Sequence, residues 1–179
     1  MLQELESNVK KWRTQLSERS VNWVVAEQLH VTLCFLGSVS TDSVPALISE
    51  LRGHVKSQPM RLSVEGIGCF PNPKRPRVIW AGVKGEVKEL LNLQTTVSQA
   101  CGRFIEKPDD KPFSPHITLA RVKLTNRQES KVISEIVEQE ATRRFGTWTL
   151  DQICLVRSQL GRKGSKYSIV ERFELRGPA

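Results

Sequence analysis

The sequence predicts an α+β fold built as a pseudo-twofold duplication of two αβαββ halves, about residues 1–84 and 85–179, with antiparallel or mixed sheets lining a central cleft and helices outside. Three observations carry this prediction. Amphipathic stripes with apolar residues three and four apart alternate with short β-branched runs. The order of element types in the first half returns in the second at an offset of about 86 residues. The tetrad His-x-Thr-Leu also occurs once in each half at that offset, as His30-Val31-Thr32-Leu33 and His116-Ile117-Thr118-Leu119. A chain of 179 residues accommodates this as one two-lobed domain over 1–179.

Taken in order, Leu2, Leu5, Val9, Trp12 and Leu16 share a helical stripe that predicts a first helix to about residue 18. Val21–Ala26 and Leu29–Leu36 alternate as strands, the second ended by Gly37. Asp42 or Ser43 caps a second helix with Pro45 in its first turn, burying Val44, Leu47, Ile48, Leu51 and Val55. Strands at Met60–Cys69 and Arg77–Val83 flank Pro71-Asn72-Pro73-Lys74-Arg75-Pro76, whose prolines cannot join a ladder and form an extended connection. A third helix from Glu86 to Phe104 turns Val87, Leu90, Leu91, Val97, Cys101 and Phe104 inward. After a charged loop over 108–112 comes a strand at His116–Val122. Asn126 with Glu129 then reads as a capping box opening a fourth helix that buries Val132, Ile133, Ile136, Val137 and Ala141. Strands at Thr147–Val156 and Lys166–Leu175 close the chain around Gly161-Arg162-Lys163-Gly164.

Composition narrows the function. The net charge of +8 favours a polyanionic partner. No apolar run approaches the roughly 18 residues that span a bilayer, and the amphipathic start is unlike a signal peptide, so the expectation is a cytoplasmic protein without a membrane partner. Cys34, Cys69, Cys101 and Cys154 form no CxxC pair and read as buried thiols.

The tetrads carry the chemistry. With three histidines, ten threonines and eighteen leucines in the chain, a given His is followed by x-Thr-Leu by chance about once in 180. In a strand, the His and Thr of each tetrad share a face about 6.6 Å apart, with Val31, Leu33, Ile117 and Leu119 behind them. Two imidazoles and two hydroxyls brought together suit in-line displacement at phosphorus, one His accepting a proton from the attacking oxygen and the other supplying one to the leaving oxygen. The symmetry of the tetrads does not say which does which. A zinc site wants three or four converging ligands, whereas the tetrads offer two imidazoles and Cys34, so no metal is expected. His54, at a helix end, reads as a solvated or dipole-capping residue. Trp80 reads as core.

These motifs resemble the two-histidine phosphoesterase superfamily, and within it the RNA 2′,3′-cyclic phosphodiesterases, also called 2′-5′ RNA ligases or LigT-like proteins. Besides both tetrads, the resemblance rests on Leu29-His30, on Pro112-Phe113-Ser114-Pro115-His116, on the linker and strand from Phe70 to Val83, and on Ser158-Gln159-Leu160 with Gly164 to Tyr167. It implies hydrolysis of a terminal 2′,3′-cyclic phosphate to a 2′-phosphate without metal or nucleotide cofactor, with weak 2′-5′ ligation as the chemistry run backwards. His30 would be the proton donor to the departing 3′ oxygen and His116 the acceptor that activates water. Thr32 and Thr118 would hold the phosphate, with Arg121 beside them. Strict alternation from His116 places Arg121 on the opposite face, so its participation requires a bend or bulge.

Lys74 and Arg75 on the proline-rich loop, Arg162 and Lys163 in the last turn, and Phe113 as a stacking ring are candidate RNA contacts. The implied partner is RNA ending in a 2′,3′-cyclic phosphate, tRNA fragments among them. Two other functions fit the same cleft: a non-catalytic nucleotide or RNA-binding module, and a cyclic phosphodiesterase for small nucleotides. Family members usually open with an apolar strand before the first helix, and this chain starts within that helix. The expected species is a monomer, with the open N-terminal sheet edge as the route to a dimer.

Overall fold

The computed structural model describes residues 2–106, 111–161 and 164–176. The helices are α1 (Leu2–Arg13), α2 (Val44–His54), α3 (Val87–Cys101) and α4 (Arg127–Gln139). The strands are β1 (Val21–Trp23), β2 (Met60–Phe70), β3 (Val78–Gly85), β4 (His116–Val122), β5 (Arg144–Leu150), β6 (Gln152–Gly161) and β7 (Gly164–Glu174). They condense into two compact units, each drawing on both halves of the sequence. The first comprises Met1–Thr32, Leu62–Gly85 and Ser114–Trp148, the second Leu33–Arg61, Glu86–Phe113 and Thr149–Ala179. Both His-x-Thr segments therefore belong to the first unit.

That unit is organised by a five-stranded sheet of order β1-β4-β3-β2-β5, in which β1–β4, β4–β3 and β3–β2 pair antiparallel. Its core side is lined by Val21, Val64, Ile79, Ala81, Ile117, Leu119 and Phe145 and closed by Leu5 and Trp12 of α1 and Ile133 and Ile136 of α4, all buried. Trp12 meets Phe145 edge-to-face at 6.2 Å. Truncating a ring as enclosed as Phe145 costs about 3–5 kcal/mol. α4 begins with the expected capping box: Asn126 Oδ1 accepts from Glu129 N and Glu129 Oε2 from Asn126 N. β2 bends between Val64 and Ile67, where Gly66 has φ +76° and donates to Arg143 O. A Cβ there would stand 2.6 Å from Ala141 O, so only glycine fits.

The second unit packs α2 on α3 and carries the β6–β7 hairpin, paired antiparallel from Gln152↔Glu174 to Gly161↔Gly164. Leu47, Leu51, Leu90, Leu93, Val97, Phe173 and Leu175 are buried there. At the end of α2 the exposed His54 Nδ1 donates to Glu50 O and lies 3.6 Å from the Glu50 carboxylate.

The structure departs from the sequence expectations at defined places. α1 stops at Arg13, where Thr14 Oγ1 donates to Lys11 O, although Leu16 is still buried. Residues 29–36 form no strand. They pair through one antiparallel bridge, Val31↔Ile117, so the edge that flanks β4 runs from β1 to this bridge and is interrupted by a 3₁₀ turn at Ala26–Gln28. A 3₁₀ turn at Thr41–Ser43 precedes α2, and Ser43 makes no side-chain cap among the described residues. In α3, Leu93 rather than Leu91 completes the buried stripe, and in α4 Ile133 and Ile136 are the fully enclosed pair. The strand expected over 147–156 is two, broken at Asp151, whose carbonyl accepts from Leu175 N.

The cysteines are not uniformly buried: Cys69 and Cys101 are, Cys34 is half-buried and Cys154 exposed. A hydrogen bond from the Cys101 thiol lowers the Cys34 thiol to about 7, against the opposing effect of burial and with help from Ser98. Burial pushes Cys69 up to about 11. Iodoacetamide at pH 7.5 is expected to label Cys154 and Cys34 and spare Cys69 and Cys101 in the folded protein, with Cys34 labelling half-maximal near pH 7; peptide mapping checks both. Asn126→Ala should lower stability by about 1 kcal/mol in a urea titration.

Candidate active site

The site occupies the face of the five-stranded sheet opposite the core, within the first unit. Ile117 is buried on the core side, and the half-buried Val31, bridged to it, shares that side through the pairing. In an antiparallel register this sets His30 across from Thr118 and Thr32 across from His116, all four on the outer face. The two tetrads therefore cross, and each imidazole neighbours the other tetrad's hydroxyl.

Both rings are held the same way. His30 Nδ1 donates to Gln28 O and His116 Nδ1 donates to Ser114 O, each at 2.6 Å and each two residues upstream. For His30 the carbonyl comes from the 3₁₀ turn that interrupts the edge strand; for His116 it comes from the approach Phe113-Ser114-Pro115. A donating Nδ1 fixes the tautomer, so in the neutral ring Nε2 carries the lone pair. Thr32, Thr118 and His116 are half-buried and His30 is exposed.

Arg121 joins this face through a bulge. Ile79 pairs with Ala120 but Trp80 pairs with Thr118, so Leu119 is an extra residue on β4. Leu119 and Ala120 both turn into the core, and Arg121, opposite Val78 and Asn22, emerges exposed on the side of His116 and Thr118. Two adjacent apolar residues conceal this shift in the sequence.

Trp80 is not a core residue. It lies on the outer face between Gly68, opposite on β2, and Gly82, two residues on and opposite His116. Its ring centroid is 6.3 Å from that of His116, and Phe70 sits 5.2 Å from Trp80 and 5.1 Å from His116, edge-to-face with the imidazole at 84°. The alternation Ile79, Ala81, Val83 inward marks position 80 as outward, a signal masked by the apolar run around it.

Lys74 and Arg75 are exposed on the loop joining β2 to β3, whose last pair is Phe70↔Val78, so the loop leaves the sheet at the Arg121 end of the face. Asn72 Oδ1 shapes it by accepting from the backbone N–H of both residues. Phe113 is half-buried and belongs to the second unit. Arg162 and Lys163 lie outside the described residues. Among the described residues no three His, Cys, Asp or Glu side chains converge, and no helix is long and apolar enough to cross a membrane.

The model of the 2′-5′ RNA ligase superfamily matches residues 2–162. The chain belongs to that superfamily. Its relatives include the RNA 2′,3′-cyclic phosphodiesterase of Archaeoglobus fulgidus, 37% identical over 95% of this chain and 93% of that protein, and that of Aquifex aeolicus, 34% identical over 87% and 82%. A solved structure from Thermus thermophilus superposes with a TM-score of 0.77 at 30% identity, covering 99% of this chain and 94% of the other. E. coli LigT, crystallised with 3′-AMP, shares the fold with a TM-score of 0.73 at 24% identity over 98% and 92%. The α+β architecture read from the repeat is thus that of the superfamily. If the paired carbonyls set the rings as described, ¹⁵N NMR of the neutral imidazoles will show the Nδ1–H tautomer for both His30 and His116; an Nε2–H tautomer at either would contradict this geometry.

Proposed function

We propose that this superfamily member is an RNA 2′,3′-cyclic phosphodiesterase that opens the terminal cyclic phosphate to a 2′-phosphate by paired-histidine acid/base catalysis. The observation that carries the reading is the antiparallel bridge at Val31↔Ile117, which puts two identically tethered imidazoles and two threonine hydroxyls on one face. The relatives named for this reaction support the substrate class.

In the mechanism, His116 Nε2 accepts a proton from water as its oxygen bonds to phosphorus. The P–O3′ bond breaks in line, and His30 Nε2, protonated at the outset, supplies a proton to the 3′ oxygen. The two Nδ1 tethers are alike, and the direction proposed here is taken from the resemblance to the two-histidine pattern. Thr32 and Thr118 donate to the non-bridging oxygens, and Arg121, carried to this face by the bulge, offsets their charge. A 5′-hydroxyl in place of water gives 2′-5′ ligation by the same displacement. Lys74 and Arg75, at the Arg121 end, extend the positive surface along the RNA backbone.

Incubation with an oligoribonucleotide ending in a 2′,3′-cyclic phosphate should yield a product heavier by one water and carrying a 2′-phosphate. His30→Ala and His116→Ala should each lower kcat by about 10² to 10⁴ with the melting temperature retained. Wild-type turnover in either variant would overturn the mechanism. Binding without turnover by the wild-type protein would favour a binding module, and turnover restricted to mononucleotide cyclic phosphates a small-nucleotide enzyme. Activity should persist in excess chelator; loss restored by zinc would contradict the metal-free reaction.

A further inference from the structure

His116 is backed by a stack of aromatic rings that the acid/base mechanism does not use. Gly68 and Gly82 leave the sheet bare on either side of Trp80. A Cβ on Gly68 would run into Cζ2, Cη2 and Cε2 of the indole, so the ring occupies the space a side chain would need. Gly82 is equally confined, since a Cβ there would stand 2.6 Å from Glu65 O and 3.5 Å from Trp80 Cζ3. Trp80 Nε1 is buried and has no hydrogen-bond partner among the described residues. An unsatisfied buried N–H is a cost, so packing on the glycines rather than polar tethering holds the indole in place. Phe70 packs on Trp80 at an interplanar angle of 34° and presents itself at 84° to the His116 ring.

The imidazole is anchored by the hydrogen bond from Nδ1 to Ser114 O. That bond fixes the tautomer and leaves the ring able to rock about it. Proton transfer needs Nε2 within about 3 Å of the attacking oxygen, and misplacement of a catalytic group by about 1 Å can cost about 10²-fold in rate.

We propose that Trp80, seated on Gly68 and backed by Phe70, is a positioning residue that fixes the plane of the His116 imidazole and thereby the aim of Nε2, with Gly68 acting on catalysis solely through the indole it admits. This rests on the reading of His116 as a catalytic base. Three roles for Trp80 differ in what they govern. A base-stacking residue would govern KM, a purely structural one would govern stability, and a positioning residue governs kcat.

The experiment is a double-mutant cycle between positions 68 and 80, read as kcat, KM and melting temperature on the oligoribonucleotide 2′,3′-cyclic phosphate. Gly68→Ala should lower kcat about tenfold or more, with KM within about threefold. Trp80→Phe removes the part of the indole that a Cβ at 68 would strike, so Gly68→Ala should cost several-fold less in the Trp80→Phe background. A Gly68→Ala kcat within about twofold of wild type, an equal cost in both backgrounds, or an effect confined to KM overturns the proposal. If Gly68→Ala does not fold, Trp80→Leu carries the test, with the same kcat loss expected at unchanged KM. His116 ring resonances in NMR supply a readout independent of turnover: one sharp set in the wild type and broadened or doubled signals in Trp80→Leu support the positioning role, and an equally sharp single set in both overturns it. A wild-type protein without turnover would refute the enzymatic reading while these spectra still decide the positioning claim.

Discussion

The site depends on one contact between distant parts of the chain, the antiparallel bridge of Val31 with Ile117. It is short, yet it sets the register of everything above it. Side-chain period two on both segments converts that pairing into a crossed quartet of two imidazoles and two hydroxyls on the outer face, with apolar residues beneath. A slip of one residue on either segment would turn a His and a Thr into the core.

Support for the bridge comes from sequence-local devices. The 3₁₀ turn at Ala26–Gln28 interrupts the edge strand and in doing so supplies the carbonyl that holds His30. Ser114 supplies the equivalent carbonyl for His116. The bulge at Leu119 then resets the alternation of β4 so that Arg121 faces the same way as His116. Each device is a departure from ideal strand geometry, and each falls where the face must present a functional group. Bulges re-aim a side chain in this way and are over-represented at sheet edges.

Much of this was legible in the sequence. The tetrads, the β4 span at His116–Val122 and the Asn126–Glu129 capping box follow from period-two alternation and capping chemistry, which are local. The need for a bend or bulge before Arg121 was legible as well, but neither which of the two nor its position was, because Leu119 and Ala120 are both apolar and either could be the extra residue. The interruption of the edge strand was hidden for a related reason: residues 29–36 alternate well enough to be a strand, but the chain passes from the first compact unit to the second after Thr32. Trp80 was concealed by the apolar residues around it, since hydrophobicity does not report which face a residue takes. The assembly of each unit from both sequence halves is a long-range property that a repeat of element types does not encode.

The measurement that tests the account most directly is a crystal structure of the protein with a uridine–vanadate complex, whose trigonal-bipyramidal centre mimics in-line attack at phosphorus. Nε2 of His30 and Nε2 of His116 should each lie about 3 Å from opposite apical oxygens, with Thr32 and Thr118 on the equatorial oxygens. A vanadate bound away from this face, or apical oxygens contacted by only one of the two histidines, would contradict the account.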